Sequence, residues 1–120
     1  MERRRRVAAM LPRPATTQLS DLAYKILTAG QFAGWQADGT FAGAPTDEAD
    51  GYVHLSTADQ LAETLDKHFA GQSGLVVATV DLTQLGDTVR WEVSRGGALF
   101  PHVYGPLPLA AMVGFEQVDG

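Results

Sequence analysis

The feature that most constrains the fold is a nearly continuous apolar run over residues 75–82, Leu-Val-Val-Ala-Thr-Val-Asp-Leu. A run of this length, rich in β-branched residues, is typical of a strand that is covered on both of its faces. A chain of 120 residues can supply such a core, because a domain of this size buries roughly two-thirds of its unfolded surface. We therefore expect one globular domain, over residues 19–120.

The other apolar segments mix strands and helices without the regular spacing of βαβ units. Strands are predicted at residues 23–27, 52–55, 88–93 and 112–118. A short helix is predicted after Thr28, with Phe32 and Trp35 on one face, and it stops at Asp38-Gly39. The intermixing indicates an α+β fold with a largely antiparallel sheet.

The clearest helix follows Ser56 and Thr57, either of which can cap it. Its residues Leu61, Leu65 and Phe69 recur every four positions, so one stripe of the helix faces a core. Gly71 is predicted to end it. Residues 40–51, rich in Gly, Ala, Pro and Asp, are predicted to form a long irregular loop.

Charge is unevenly distributed along the chain. Five of the nine basic residues lie in the first thirteen positions, and from residue 14 onward thirteen acidic residues face only four basic ones. An acidic body repels phosphate backbones, so we do not expect it to bind nucleic acid in general. The run Arg3-Arg4-Arg5-Arg6 could still contact an anionic surface; the alternative is a flexible leader over residues 1–18 with no such role.

Several classes of protein are excluded by composition. The chain has no cysteine, which excludes disulfides and thiolate sites. No run approaches the ~18 apolar residues of a membrane span. The apolar stretch after the arginines covers only residues 7–11 before Pro12, whereas a secretory h-region has roughly 7–15 residues. We therefore expect a cytoplasmic protein.

Three groups of residues place proton-active side chains at the edges of apolar segments. They are Gly51-Tyr52-Val53-His54-Leu55-Ser56-Thr57, Arg90-Trp91-Glu92 and Phe100-Pro101-His102-Val103-Tyr104-Gly105-Pro106.

His54 precedes a helix start, where exposed amide N–H groups attract anions and two hydroxyl side chains add donors. A ligand phosphate or carboxylate could be held there. The alternative is that the hydroxyls only cap the helix and that His54 bonds to the backbone.

Glu92 lies on the opposite strand face from Trp91, where its carboxylate could stabilise developing positive charge. The alternative is a surface glutamate paired with Arg90 or Arg95. His102 and Tyr104 share a face if their segment is extended; alternatively, Tyr104 only packs its ring.

His54, His102 and Glu92 also have the residue types of a 2-His-1-carboxylate metal site. The chain has no His-x-His or HExxH spacing, so we predict no metal. His68, near a helix C-terminus, is interpreted as structural.

Taken in order, these segments resemble the DUF952 family of small bacterial proteins of unknown function. The resemblance covers about residues 23–118 and is carried by Tyr24-Lys25-Ile26-Leu27, Asp50-Gly51-Tyr52-Val53-His54-Leu55-Ser56-Thr57, the helix with Leu61, His68 and Phe69, Trp91-Glu92, Ser94-Arg95-Gly96-Gly97, and Leu99-Phe100-Pro101-His102-Val103-Tyr104-Gly105-Pro106-Leu107.

The resemblance implies a fold similar to that of ADP-ribosyltransferases: a split, curved, mostly antiparallel sheet with two or three helices and a cleft where relatives bind NAD. NAD is therefore the candidate cofactor. Either Lys25 or His54 takes the position of the His or Arg that an early strand offers to NAD. The implied catalytic candidates are His54, Glu92, His102 and Tyr104, and the implied ligand-binding candidates are Lys25, Ser56, Thr57 and Arg95.

The candidate residues are compatible with two functions. The first is an enzyme or former enzyme that binds or transforms NAD, ADP-ribose or a related phosphorylated small molecule. Glu92 would stabilise an oxocarbenium-like ribosyl centre, His54 with the hydroxyls of the helix start would hold ribose or phosphate, and Tyr104 would orient the base. The second is a non-catalytic module that binds a ligand or a protein. The observation that discriminates these hypotheses is whether His54, Glu92, His102 and Tyr104 line one pocket that solvent reaches. Dispersal of these four side chains over separate faces would count against both the catalytic and the single-ligand hypotheses.

Overall fold

Strand β4 (Leu75–Asp81) is the centre of the fold. In the computed structural model, which describes residues 21–94 and 97–120, β4 pairs antiparallel with β1 (Leu22–Thr28) on one side and with β8 (Met112–Val118) on the other. Its residues alternate between a large core on one face and a smaller core on the other. The predicted doubly covered strand is therefore confirmed.

Two further antiparallel sheets complete the described β structure. The second three-stranded sheet has the order β3-β6-β5, and a two-stranded sheet pairs β2 with β7. These strands are β2 (Thr40–Phe41), β3 (Val53–His54), β5 (Val89–Val93), β6 (Leu99–Val103) and β7 (Leu107–Pro108).

The three α-helices of the described residues are α1 (Ala29–Asp38), α2 (Pro45–Asp50) and α3 (Ala58–His68). Helix α1 begins with a capping box, because the Gln31 amide donates to the Thr28 hydroxyl and the Gln31 side chain accepts from the Thr28 amide. The expected α+β fold, with antiparallel sheets and three helices, is thus confirmed.

The stripe of α3 packs on the smaller core. Leu61, Leu65 and Phe69 lie against the face of the β1-β4-β8 sheet formed by Ile26 and Val77. This packing is the reason that a helix with mostly polar residues is stable in this place. The predicted amphipathic helix is confirmed, although it ends at His68, before the expected Gly71.

The prediction of an irregular loop over residues 40–51 is wrong in part. Thr40–Phe41 pairs with β7, and Pro45–Asp50 forms α2. Proline at the first helical position is favoured because its missing N–H would have no intrahelical partner, and Gly51 ends the helix at φ 89°. The proline and the glycine are local signals of a short helix, but the polar composition of the segment favours a loop.

A short backbone bridge connects the two three-stranded sheets. The Tyr24 amide donates to the Ser56 carbonyl at 2.8 Å, and the Ser56 amide donates to the Tyr24 carbonyl at 2.9 Å. The segment after β3 therefore lies along the edge of β1 that β4 leaves open. This bridge brings the polar residues of β1 and β3 together.

Residues 1–18, which are predicted to form a leader and contain the arginine run, lie outside the described residues. Within residues 21–94 and 97–120, no helix is long and apolar enough to cross a membrane.

Trp35 provides a test of the packing. Its ring is fully buried, and its Nε1–H donates to the Leu107 carbonyl at 3.0 Å. Trp35→Phe removes this hydrogen bond and creates a cavity, so we expect a loss of about 2–4 kcal/mol in the free energy of unfolding. Urea denaturation measures this loss. Val113→Ala, at an exposed position of β8, should change stability by less than about 0.5 kcal/mol, and equal losses in the two variants would contradict the assignment.

Candidate functional site

A buried carboxylate, Asp47 of α2, organises one end of the site. Its Oδ2 accepts from Lys25 Nζ at 2.8 Å and from the Ala44 amide at 2.8 Å. Its Oδ1 accepts from the His54 amide at 3.0 Å and contacts His54 Nδ1 at 2.6 Å. With 2% of its side chain exposed, Asp47 joins β1, α2 and β3 through side-chain hydrogen bonds.

The chain before α2 allows this close packing because Gly43 has no side chain. A Cβ at Gly43 would lie 2.8 Å from Asp47 Cβ, and the backbone there has φ 125°. Both conditions favour glycine. The turn can therefore bring the Ala44 amide onto the carboxylate.

The charges of this cluster depend on one another. Burial alone would raise the pKa of Asp47, but the hydrogen bond with His54, the charge of Lys25 and the Ala44 amide together hold it far below its ordinary value. Burial lowers the pKa of Lys25, and the neighbouring Asp47 carboxylate opposes that shift. Lys25 Nζ also donates to the His54 carbonyl at 3.1 Å, so this buried cation is both paired and hydrogen-bonded.

The two histidines form a cross-strand pair. His54 of β3 stands directly opposite His102 of β6 in the antiparallel register, and their ring centroids are 5.4 Å apart in an edge-on arrangement. Directly opposed side chains are close enough to interact. The pairing of these two strands is thus what brings two imidazoles together from positions 48 residues apart in the sequence.

His102 is held from behind by β5. Glu92 Oε1 lies 2.7 Å from His102 Nδ1 and accepts from the Tyr104 hydroxyl at 2.8 Å. The hydrogen bond from His102, and to a smaller extent the one from Tyr104, lowers the pKa of Glu92. The hydrogen bond with this carboxylate in turn raises the pKa of Tyr104. His102 Nε2 has no hydrogen-bond partner in the part of the chain that the structure describes.

Tyr52 covers the histidine pair. Its ring stacks on His102 with centroids 4.1 Å apart and also contacts the rings of His54 and Tyr104, at 4.7 Å and 5.1 Å. Burial, followed by the charges of Asp50 and Glu92, raises the pKa of Tyr52. The phenol therefore stays neutral and serves as an aromatic cover that fixes both imidazoles.

A cavity of about 530 Å³ lies beside these groups. This volume is within the range of about 300–1,000 Å³ that is usual for small-molecule sites. Residues of β1, β3, β6, α2 and α3 line the cavity. The polar lining includes Lys25, Asp47, Asp50, His54, Ser56, Thr64, His68 and His102. The His54 side chain is 32% exposed, so solvent reaches this part of the lining.

The structure distributes the sequence-predicted site residues over three places. Lys25, His54, Ser56 and His102 line the cavity. Glu92 and Tyr104 lie behind His102 and contact its ring or its carboxylate partner, without forming the wall. Thr57 caps α3 and is not part of the lining. Arg95 lies outside the described residues.

Among the acidic and histidine residues of the lining, sequence reasoning misses three. The sequence predicts an irregular loop at Asp47 and Asp50 and a structural role for His68. The pattern Pro45 to Gly51 was the only available signal for α2, and it does not reveal which partner a carboxylate finds 22 residues away in Lys25.

No group of three or more His, Asp or Glu side chains within residues 21–94 and 97–120 has the geometry to hold a metal ion. His54 and His102 instead direct their Nδ1 atoms to different carboxylates.

Comparison with known proteins places this arrangement in a family. A family model described as a protein of unknown function, DUF952, matches residues 26–115. The chain belongs to the DUF952 family. No curated protein matches it.

Two solved structures of one protein, CC0527 from Caulobacter crescentus, are similar to this DUF952 chain. The crystal structure is 43% identical, with a TM-score of 0.79, and the match covers 82% of this chain and 86% of that one. The solution structure is 42% identical, with a TM-score of 0.74, and covers 83% and 86%. Family membership therefore establishes the fold, and the site has to be interpreted from its own chemistry.

The Asp47 cluster predicts a specific acid response. Because the folded-state pKa of Asp47 is lowered below the ~3.9 of an unfolded chain, its contribution is present above about pH 4 and is lost as pH falls through the folded value. Asp47→Asn leaves the buried Lys25 unpaired and should cost about 3–5 kcal/mol at pH 7. Its stability should also fall less than that of the wild type on acidification below pH 4.

Urea denaturation at several pH values measures both effects. Asp59→Asn, at an exposed position of α3, serves as the control and should follow the wild-type curve. Parallel acid profiles for wild type and Asp47→Asn would show that Asp47 is not held in the charged form by its partners.

Proposed function

We propose that this DUF952 protein binds a phosphorylated small molecule of the NAD or ADP-ribose type in the cavity, and that His102 exchanges a proton with it. The observation that carries the proposal is the environment of His102. The residue is 3% exposed and lines the cavity, its Nδ1 contacts Glu92, and its Nε2 has no partner among the described residues. A buried polar atom without a partner is costly, so a ligand that bonds Nε2 removes that cost.

The architecture supports an ADP-ribosyltransferase-like cleft as the form of this site. The cavity is lined by β1 of one antiparallel sheet and by β3 and β6 of another, and the sequence resemblance implies a cleft in a split sheet. The lining offers the groups that a nucleotide needs: a cation, two imidazoles and the Ser56 hydroxyl for ribose or phosphate, with Ile26 and Phe100 as apolar surface for a ring.

Glu92 contacts His102 Nδ1 and does not line the cavity, so in a ribosyl transfer it would act through His102 and not directly on the ribosyl centre. In hydrolysis of NAD, a water oxygen forms a bond to the ribosyl carbon, the bond from that carbon to nicotinamide breaks, and its electron pair leaves with nicotinamide. His102 Nε2 would take the proton from the attacking water. The Glu92 carboxylate, which is hydrogen-bonded to His102 Nδ1, would then stabilise the imidazolium, and Tyr104 would hold Glu92 in place.

A second candidate, binding without catalysis, is favoured by a different observation. Lys25, Asp47 and His54 already satisfy one another through hydrogen bonds, which is typical of a rigid recognition site. The two candidates differ in turnover. Incubation with NAD releases nicotinamide in the first and returns intact NAD in the second.

Thermal and chemical denaturation with NAD, ADP-ribose, nicotinamide and other phosphorylated metabolites tests the binding. A ligand at one hundred times its dissociation constant should add about 2.7 kcal/mol to the free energy of unfolding. His102→Gln should lose most of that gain, whereas Lys67→Gln, at an exposed position of α3, should keep it. No gain with any nicotinamide or ADP-ribose compound, beside a clear gain with an unrelated ligand, would refute the NAD-type assignment.

A further inference from the structure

We propose that Asp50 occupies the place that the anionic group of the ligand takes on His54, and that the ligand displaces it. This inference rests on the proposed function, because it concerns the same cavity. It assigns distinct tasks to the two histidines: His54 recognises an anionic oxygen, and His102 is the group that exchanges a proton.

His54 has a carboxylate on each ring nitrogen. Nδ1 lies 2.6 Å from Asp47 Oδ1, and Nε2 lies 2.9 Å from Asp50 Oδ2. A neutral imidazole carries a single N–H and offers a lone pair at its other nitrogen, whereas ionised carboxylates only accept hydrogen bonds. Both contacts are satisfied together when both nitrogens of His54 carry protons.

The two carboxylates are unequally anchored. The Asp47 side chain is 2% exposed and makes four hydrogen bonds, to Lys25, Ala44 and His54. Asp50 has 47% of its side chain exposed, and His54 is its one partner among the described residues. Asp50 is also the last residue of the six-residue helix α2. Asp47 therefore stays, and Asp50 is free to leave when another acceptor arrives.

The surroundings of His54 Nε2 fit an incoming anion. Asp50 and His54 both line the cavity, together with the donors Lys25 and Ser56 and the unpartnered Nε2 of His102. An anionic oxygen that replaces Asp50 keeps the charge-assisted hydrogen bond to His54 and can gain a second donor that Asp50 does not contact. The chemical class is therefore a phosphate or carboxylate group attached to a body that fills the remaining cavity.

Removal of the competing carboxylate tests this inference. We expect Asp50→Asn to bind ADP-ribose roughly tenfold more tightly than the wild type, as measured by isothermal titration calorimetry. Glu48→Gln removes the same charge from an exposed position of the same helix that is not part of the lining. It should bind like the wild type. Adenosine, which lacks phosphate, should show no difference among the three proteins.

The results distinguish failure of the Asp50 displacement from failure of the proposed function. Equal affinity of the wild type and Asp50→Asn for ADP-ribose would overturn the displacement of Asp50 and leave the proposed function standing. Equal tightening in Asp50→Asn and Glu48→Gln would show a general charge effect and would also overturn it. If ADP-ribose binds none of the proteins, the NAD-type function fails. In that case inorganic phosphate is titrated while the His54 ring signals are recorded by NMR. A shift of these signals supports the displacement of Asp50 by an anion, and the absence of any shift overturns that inference as well.

A measurement without added ligand tests the basis of the inference. Long-range ¹H–¹⁵N spectra of the imidazoles should show the His54 ring signals shifted in Asp50→Asn and unchanged in Glu48→Gln, because Asp50 contacts His54 Nε2. Unchanged His54 ring signals in Asp50→Asn would contradict the contact on which the inference is based.

Discussion

The structure of the site depends on the burial of one carboxylate, Asp47. A buried charge is costly unless every lone pair is used, and Asp47 uses both oxygens on Lys25, His54 and the Ala44 amide. These bonds connect the edge strand of one sheet to the edge strand of the other. The position of the His54 ring and the shape of one cavity wall are consequences of this arrangement.

Strand pairing then gives the two imidazoles their different environments. The register of β3 with β6 sets His54 opposite His102, and the pairing of β5 with β6 brings Glu92 within reach of His102. His54 lies between two carboxylates. His102 has Glu92 on Nδ1 and, among the described residues, no partner on Nε2, and Tyr52 packs over both rings. This difference in partners is the reason that different tasks are proposed for the two histidines.

Much of the fold could be predicted from the sequence because its signals are local. The apolar run of β4, the four-residue periodicity of α3 and the alternation of β5 each depend on nearby residues, and each element appears where it was expected. Helix α2 was missed because six residues rich in acids carry little apolar periodicity, and only its proline start and glycine end mark it.

The site was harder to predict, because its geometry depends on long-range pairing. The expectation that His54 and His102 share one hollow came from the family resemblance and from residue type. Asp47 and Asp50 had no signal of function, since their roles exist only once α2 packs between β1 and β3. The position of Glu92 behind His102 likewise follows from the β5–β6 register, which alternation along a single strand does not define.

In the proposed function, the ligand is recognised by residues of β1, β3 and β6. Chemical-shift mapping during titration with ADP-ribose is the most direct test of this recognition. The largest changes should fall on Lys25, His54, Ser56 and His102, with little change along β8. Changes centred on β8 or on the outer face of α1, with His54 and His102 unaffected, would contradict it.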